Sequence, residues 1–158
     1  MSKHGRTAGP IPGKYSRLVL GALKTFTRLN VFVYRASNGR LMNRFPDGTR
    51  ICLVTMTGRR SGRKRTVPLI HVPNGEQVIL IASQGGMSQN PLWYYNILAN
   101  PELGITVNGI TRRMIAHEAS DKEKARVWPV AVRVYAHFDD YRARTERNIP
   151  VFICSPAD

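Results

Sequence analysis

At 158 residues and 42% hydrophobic content, the chain has the apolar material for one packed domain, which sets it apart from disordered sequences. No run reaches the roughly 18 uncharged apolar residues that span a bilayer, the early residues carry no signal-peptide pattern, and two cysteines without a CxxC exclude a disulfide scaffold or zinc knuckle. The net charge of +14 is concentrated: fifteen Lys and Arg against one acid, Asp47, lie in residues 1–65, and nine of each sign follow. That asymmetry predicts a basic surface for phosphate-rich or membrane partners.

In chain order, residues 1–13 are rich in Gly, Pro and charge and read as a flexible tail, with residues 14–158 as one domain. From Lys14 to about Arg35 the spacing is helical. Tyr15, Leu18, Val19, Ala22, Leu23, Phe26, Leu29 and Val33 share one face, with Lys14, Arg17, Lys24, Arg28 and Arg35 opposite. Such a helix either lies on an anionic membrane or packs on its own domain with a solvated basic face. "ICLVTMT" is a buried strand ending at Gly58, and "TVPLIHVP" and "EQVILIAS" form a hairpin about Asn74-Gly75. After the loop "QGGMSQNP", "LWYYNILAN" is a short helix stopped before Pro101, with Tyr94 and Tyr95 read as core. A second hairpin turns at Asn108-Gly109. Ser120 and Glu123 have capping-box spacing and open a helical region to about Arg147, which Pro129 is expected to break in two. "IPVFICS" is the last strand, so the elements predict a mainly β (α+β) fold, a small barrel with an N-terminal amphipathic helix and peripheral helices. Cys52 and Cys154 lie in strand runs and read as buried thiols of a reducing cytoplasm.

Familiar catalytic signatures are absent: no GxSxG, no P-loop, no GxGxxG, and four histidines without metal spacing. His71 and His117 read as structural, whereas His137, in "YAHFDDY", has the neighbourhood of an active-site group. Without acid–base machinery, a bound cofactor is the expected source of reactivity. The strongest candidate binding element is "TGRRSGRKR", residues 57–65. Arg59, Arg60, Arg63, Lys64 and Arg65 crowd one loop between strands, where guanidinium groups form paired bonds to phosphate or carboxylate. Gly58 and Gly62 let backbone approach such a ligand closely. Nucleic acid is disfavoured, because no reading helix or stacking aromatics accompany the loop. Ser83, with the amides of Gln84, Gly85 and Gly86, is placed to hold the polar edge of a planar ring, and Trp93 to wall it.

"TGRRSGRKRTVPLI", "ASQGGMSQNPLWYYNILANP" and "YAHFDDYRARTERNIPVFICSP" together resemble the deazaflavin-dependent nitroreductase family, split β-barrel, FMN-binding-like oxidoreductases that use coenzyme F420. The resemblance runs from about residue 14 to 156. It implies hydride transfer from reduced F420 to a quinone of the menaquinone type or to a nitro compound, with no metal. It also implies that Arg59, Arg60, Ser61 and Arg65 clamp the cofactor's anionic phosphate and oligoglutamate tail, with Pro68 packed nearby. Ser83, Gln84, Gly85, Gly86, Asn90, Pro91 and Trp93 then hold the deazaflavin, Gln84 standing where relatives often carry Lys. On the acceptor side the resemblance points to Tyr135, Phe138 and Tyr141; Phe138 replaces a tyrosine and argues against bicyclic nitroimidazoles as substrates. It adds weight to a cytoplasmic protein whose residues 14–35 touch the inner face of the cell membrane, where lipid quinones reside. The competing expectations are an F420 carrier without turnover and an FMN-dependent split-barrel enzyme.

Overall fold

The computed structural model describes the backbone of residues 13–158 and, within the first helix, the side chains of Gly21, Ala22 and all residues from Thr25 onward. The tail expected at 1–13 falls outside the described residues except for Gly13, which starts a helix. The elements are α1 (Gly13–Ala36), β1 (Ile51–Thr57), β2 (Lys64–Ile70), β3 (Val72–Asn74), β4 (Gln77–Ile81), a 3-10 turn (Gln84–Gly86), α2 (Leu92–Ala99), β5 (Glu102–Val107), β6 (Ile110–Glu118), α3 (Asp121–Val134), α4 (His137–Ala143) and β7 (Val151–Pro156).

The strands form one antiparallel sheet in the order β2-β1-β5-β6-β7-β4-β3. Its two outer members, β2 and β3, are separated by the single residue His71, whose N–H donates to the Arg50 carbonyl at 2.9 Å. They are two halves of one bent segment, so the sheet curls round on itself, the split-barrel architecture the sequence implies. Strand alternation then divides the apolar residues between two faces. Cys52, Val54 and Met56 of β1, Leu80 of β4, Met114 of β6 and Phe152 of β7 fill the interior, where α2 adds Trp93 and Ile97. The alternate residues Val151 and Ile153 face outward and are covered by Val127, Trp128 and Ala131 of α3 and Phe138 of α4. Ile51 and Leu53 pack under Tyr34 of α1. Covered on both faces, β1 has no polar alternation in its first four residues.

Three local expectations shift. The first hairpin turns one residue later than expected: Asn74 pairs with Gln77, leaving Gly75 (φ 64°) and Glu76 as the loop. Pro129 does not divide the late helical region, because α3 runs through it to Val134 with its capping box in place. Pro129 is exposed, so the carbonyl whose intrahelical partner it removes can turn to water; the break falls at Tyr135, which is extended. The third shift concerns α1, which packs on the barrel through Asn30 and Tyr34. Phe26 and Leu29, placed by periodicity on the apolar face, are exposed, as is Phe32. The side chains of Tyr15, Leu18, Val19 and Leu23 lie outside the described residues.

The turn after α1 meets the β5–β6 hairpin backbone to backbone. Asn108 and Gly109 both have positive φ (50° and 80°), as a two-residue primed turn between paired Val107 and Ile110 requires. A Cβ on Gly109 would stand 2.5 Å from the Asn38 carbonyl oxygen. We expect Gly109→Ala to lose about 1–3 kcal/mol in denaturant unfolding, from strain plus the clash. Gly75→Ala, at a similar φ with nothing within 4 Å, is the control and should lose less.

Candidate functional site

The segment between β1 and β2 is a tight, self-bonded turn. Gly58 N–H donates to the Arg63 carbonyl and Gly62 N–H to the Gly58 carbonyl, both at 2.8 Å. Gly58 has no room for a side chain, since a Cβ would come within 2.9 Å of Ser61 Oγ. The turn is tied to α2 by Arg59 N–H, which donates to Asn96 Oδ1 at 3.1 Å. Arg59, Arg60, Ser61, Arg63, Lys64 and Arg65 are all exposed. The four ion pairs among the described residues lie elsewhere, so these five cations face solvent without a carboxylate partner. Lys64 alone finds a hydroxyl, that of Thr57 at 3.1 Å, while the Arg59 guanidinium sits over the Tyr95 ring at 5.1 Å.

This turn is one wall of a cleft of about 590 Å³. Of the residues expected to hold a cofactor, the cleft gathers Arg59, Arg60, Ser61, Arg65 and Trp93. Among the residues it adds that the sequence reading did not assign to the site are Arg28 from α1, Met56, Thr66 and Val67 from the strands beside the turn, and Leu92 and Asn96 from α2. Trp93 is mainly a core residue, with its ring centroid 6.2 Å from that of Phe152, and shows the cleft only an edge. Tyr94 packs on the core as expected, whereas Tyr95 is exposed. Pro68 is half-buried in β2, paired opposite Leu53.

The second group expected at the site is the loop from Ser83 to Pro91, which leads directly into the α2 wall. Gln84, Gly85 and Gly86 all have positive φ (45°, 65° and 80°), forming the 3-10 turn. A Cβ on Gly86 would stand 2.8 Å from the Tyr141 carbonyl, so the turn rests against α4. Ser83 is buried, and Asn90 and the Ser83 carbonyl are both held by Arg147. Pro91 is buried and caps α2 in extended conformation. Beside this turn the Tyr135 and Tyr141 hydroxyls are 3.0 Å apart. Burial, and then that hydrogen bond, push the Tyr135 phenol up to about 12, so it stays protonated at neutral pH. Phe138 is 3% exposed, packed on Trp128 and on both tyrosines, and supports them from below. His137 bonds Asp140 at 2.8 Å on the exposed face of α4 and lines no described cavity.

A second cavity, about 550 Å³, lies on the outer barrel face between α1 and the β5–β6 hairpin. Of its cations, Arg113 pairs with Glu102 at 2.7 Å, Arg35 donates to Thr66 at 2.8 Å and Lys64, at the end of the arginine turn, donates to Thr57. The first cleft instead gathers Arg28, Arg59, Arg60 and Arg65 without a carboxylate partner among the described residues, and such a cluster of unpartnered charge is what a polyanion needs.

The comparisons with known proteins agree. The family model described as F420H(2)-dependent quinone reductase matches residues 26–156. The chain belongs to that family. It is therefore an oxidoreductase with reduced coenzyme F420 as hydride donor and a quinone as acceptor. The chain is 33% identical to an F420H(2)-dependent quinone reductase of Mycobacterium tuberculosis over 131 residues, covering 80% of this chain and 87% of that one. A solved F420-H2 dependent reductase, FDR-A, superposes with TM-score 0.63 at 37% identity, covering 66% of this chain and 93% of that one. A chain described as a domain-swapped dimer superposes with TM-score 0.67 at 29% identity, covering 92% and 100% respectively.

The chemistry of the cleft's lining fits the cofactor: guanidinium groups without carboxylate partners, and Trp93 among the apolar residues beside them. Cys52 and Cys154 take no part, being free and buried in the barrel interior, where desolvation pushes each thiol up to about 12. No helix among the described residues is long and apolar enough to cross a membrane. Asn96 was missed because nothing local marks it; it qualifies only as the α2 residue facing the Arg59 amide. Asn96→Ala should weaken F420 binding about fivefold, the worth of one hydrogen bond, with the melting temperature nearly unchanged. Fluorescence titration reads the first and a thermal melt the second.

Proposed function

We propose that the cleft between the arginine turn and α2 seats reduced coenzyme F420, and that a menaquinone-like lipid quinone meets it beside Tyr135 and Tyr141. Arg59, Arg60, Ser61 and Arg65 hold the phosphate and oligoglutamate tail. Ser83, the Gln84 and Gly85 amides, Gly86, Asn90, Pro91, Trp93 and Pro68 hold the deazaflavin. The observation carrying this reading is the row of cations without carboxylate partners on one wall of a cleft whose other wall is α2. Bound there, the cofactor supplies the hydride. Hydride addition takes a quinone to its hydroquinone monoanion, and one proton, from solvent, then completes the hydroquinone; the Tyr135–Tyr141 hydroxyl pair offers a hydrogen-bond donor to the quinone oxygen that stays protonated. The remaining task is alignment, which can be worth effective molarities of roughly 10⁵ M. The same reading takes residues 14–158 as one domain.

The acceptor's source follows from α1. Phe26, Leu29 and Phe32 are 57%, 57% and 68% exposed, flanked by exposed Arg28 and Arg35, and Arg28 also lines the cleft. Leu92, 74% exposed, stands at the same cleft. We place this apolar and cationic face against an anionic membrane surface at the inner face of the cell membrane, at the mouth of the cleft assigned to the cofactor.

The first experiment is fluorescence titration with F420 and, in parallel, FMN. Tight binding of F420 and none of FMN is expected; FMN binding alone would overturn the site. Arg59→Ala with Arg65→Ala should cost at least about tenfold in cofactor affinity, the range of one or two charge-assisted bonds, and leave the quinone KM unchanged. Tyr141→Phe should do the reverse, lowering kcat/KM for the quinone with cofactor affinity intact. Phe26→Ser with Phe32→Ser should abolish co-sedimentation with phosphatidylglycerol vesicles while sparing turnover of a water-soluble quinone.

A further inference from the structure

Arg147 lies just before β7, outside both the arginine turn and the tyrosine pair, and it lines no described cavity. Its guanidinium reaches across to the segment after β4 and bonds four acceptors there. Nε donates to the Met87 carbonyl at 3.1 Å, Nη1 to the Ala82 carbonyl at 3.1 Å and to Asn90 Oδ1, and Nη2 to the Ser83 carbonyl at 2.9 Å. Two of these acceptors precede the Gln84–Gly86 turn and two follow it, so one planar group spans the mouth of the loop.

The loop's other supports are the packing of Gly86 on α4, a Gln84 Nε2–Met87 Sδ contact at 3.5 Å and bonds within the turn. Its three positive-φ residues are joined by two turn bonds, Gly86 N–H to the Ser83 carbonyl at 2.9 Å and Met87 N–H to the Gln84 carbonyl at 3.2 Å. Gln84 and Gly85 are exposed, and nothing stands within 4 Å of a Cβ built on Gly85. Among the described residues Arg147 has no carboxylate partner, so its charge is met by backbone carbonyl dipoles. Burial disfavours its charged form. A partly desolvated cation held only by carbonyls of one loop is a costly arrangement for stability alone. It is well suited to holding a loop of unusual backbone in one shape.

We propose that Arg147 is a positioning residue that sets the shape of the Ser83–Asn90 loop and so places the deazaflavin, without touching it. The proposal rests on the assignment of that loop to the deazaflavin given above. A lysine retains the charge but reaches one or two of the four acceptors, so the guanidinium fork, and not the charge, is the working part.

The test compares full F420 with the deazaflavin chromophore lacking phosphate and glutamates, titrated by fluorescence into the wild type, Arg147→Gln, Arg147→Lys and Arg59→Ala with Arg65→Ala. Both Arg147 variants should lose about tenfold to a hundredfold in affinity for the tail-less chromophore, the scale of a misplacement of about an ångström, and a similar factor for full F420. The arginine-turn variant should instead lose the wild type's preference for the full cofactor. Millimolar guanidinium added to Arg147→Ala should restore chromophore binding without a matching rise in melting temperature, whereas for a residue that only stabilises the fold the two would recover together. Should Arg147→Gln fail to melt cooperatively, Arg147→Lys decides. Unchanged chromophore binding in Arg147→Lys overturns the positioning role and leaves the site standing. A wild type that binds neither deazaflavin overturns both.

Discussion

The structure depends on one bent segment. Residues 64–74 pair with β1 before His71 and with β4 after it, and this change of partner joins the two ends of the sheet. Closure leaves strands with an inner and an outer face, both of which need covering. The inner face is filled by its own alternating residues and by Trp93 and Ile97 of α2. The outer face is covered in patches, by α3 and α4 along β4 and β7 and by α1 over β1. Because α2 plugs the barrel beside the β1–β2 connection, the arginine turn cannot avoid facing α2. The cleft is a by-product of how the barrel is closed.

What sets the cleft apart is how many cations converge on it. Arg28, Arg59, Arg60 and Arg65 all line it, whereas Arg113 and Arg35 at the cavity beside α1 are bonded to Glu102 and Thr66. In the turn the cations are held close together by backbone bonds and lack acidic neighbours, an arrangement whose self-repulsion is relieved by a bound polyanion. The second half of the site is built differently. There the backbone supplies exposed amides in a positive-φ turn, and a guanidinium from a distant part of the chain supplies rigidity. On the proposed reading one half gives attraction and the other gives shape, a division suited to a cofactor with a charged tail and a planar head.

Helix α1 shows the same economy. It packs through Asn30 and Tyr34, leaving Phe26, Leu29 and Phe32 in solvent next to an arginine that lines the cleft. A helix serving only to cover β1 would turn those apolar side chains inward. Their outward placement gives up burial within the chain, and an anionic membrane holding a lipid quinone would recover it.

Much of this was legible along the chain because the signals are local. Continuous apolar runs gave β1, β4 and β7; Asn108-Gly109 gave a hairpin because both residues tolerate positive φ; Ser120 and Glu123 gave a helix start by reciprocal bonds three residues apart. The arginine turn was legible as well, since five cations in seven positions keep their proximity in any fold, and three spaced motifs carried the family. What lay beyond reach depends on pairs far apart in sequence. Periodicity finds the apolar stripe of α1 but not which part of it the barrel covers. Phe138 looked like a pocket residue until the packing of α3 on α4 buried it, and Pro129 looked like a break until its exposure let the helix continue. Asn96 meets Arg59 across 37 residues and Arg147 meets Ala82 across 65, with no local pattern to announce either. The sequence by itself determined the elements, the density of charge and the family, because these follow from neighbours along the chain. Only the closure of the barrel decided which side chains hold the site in shape, because those bonds exist only once distant strands are brought side by side.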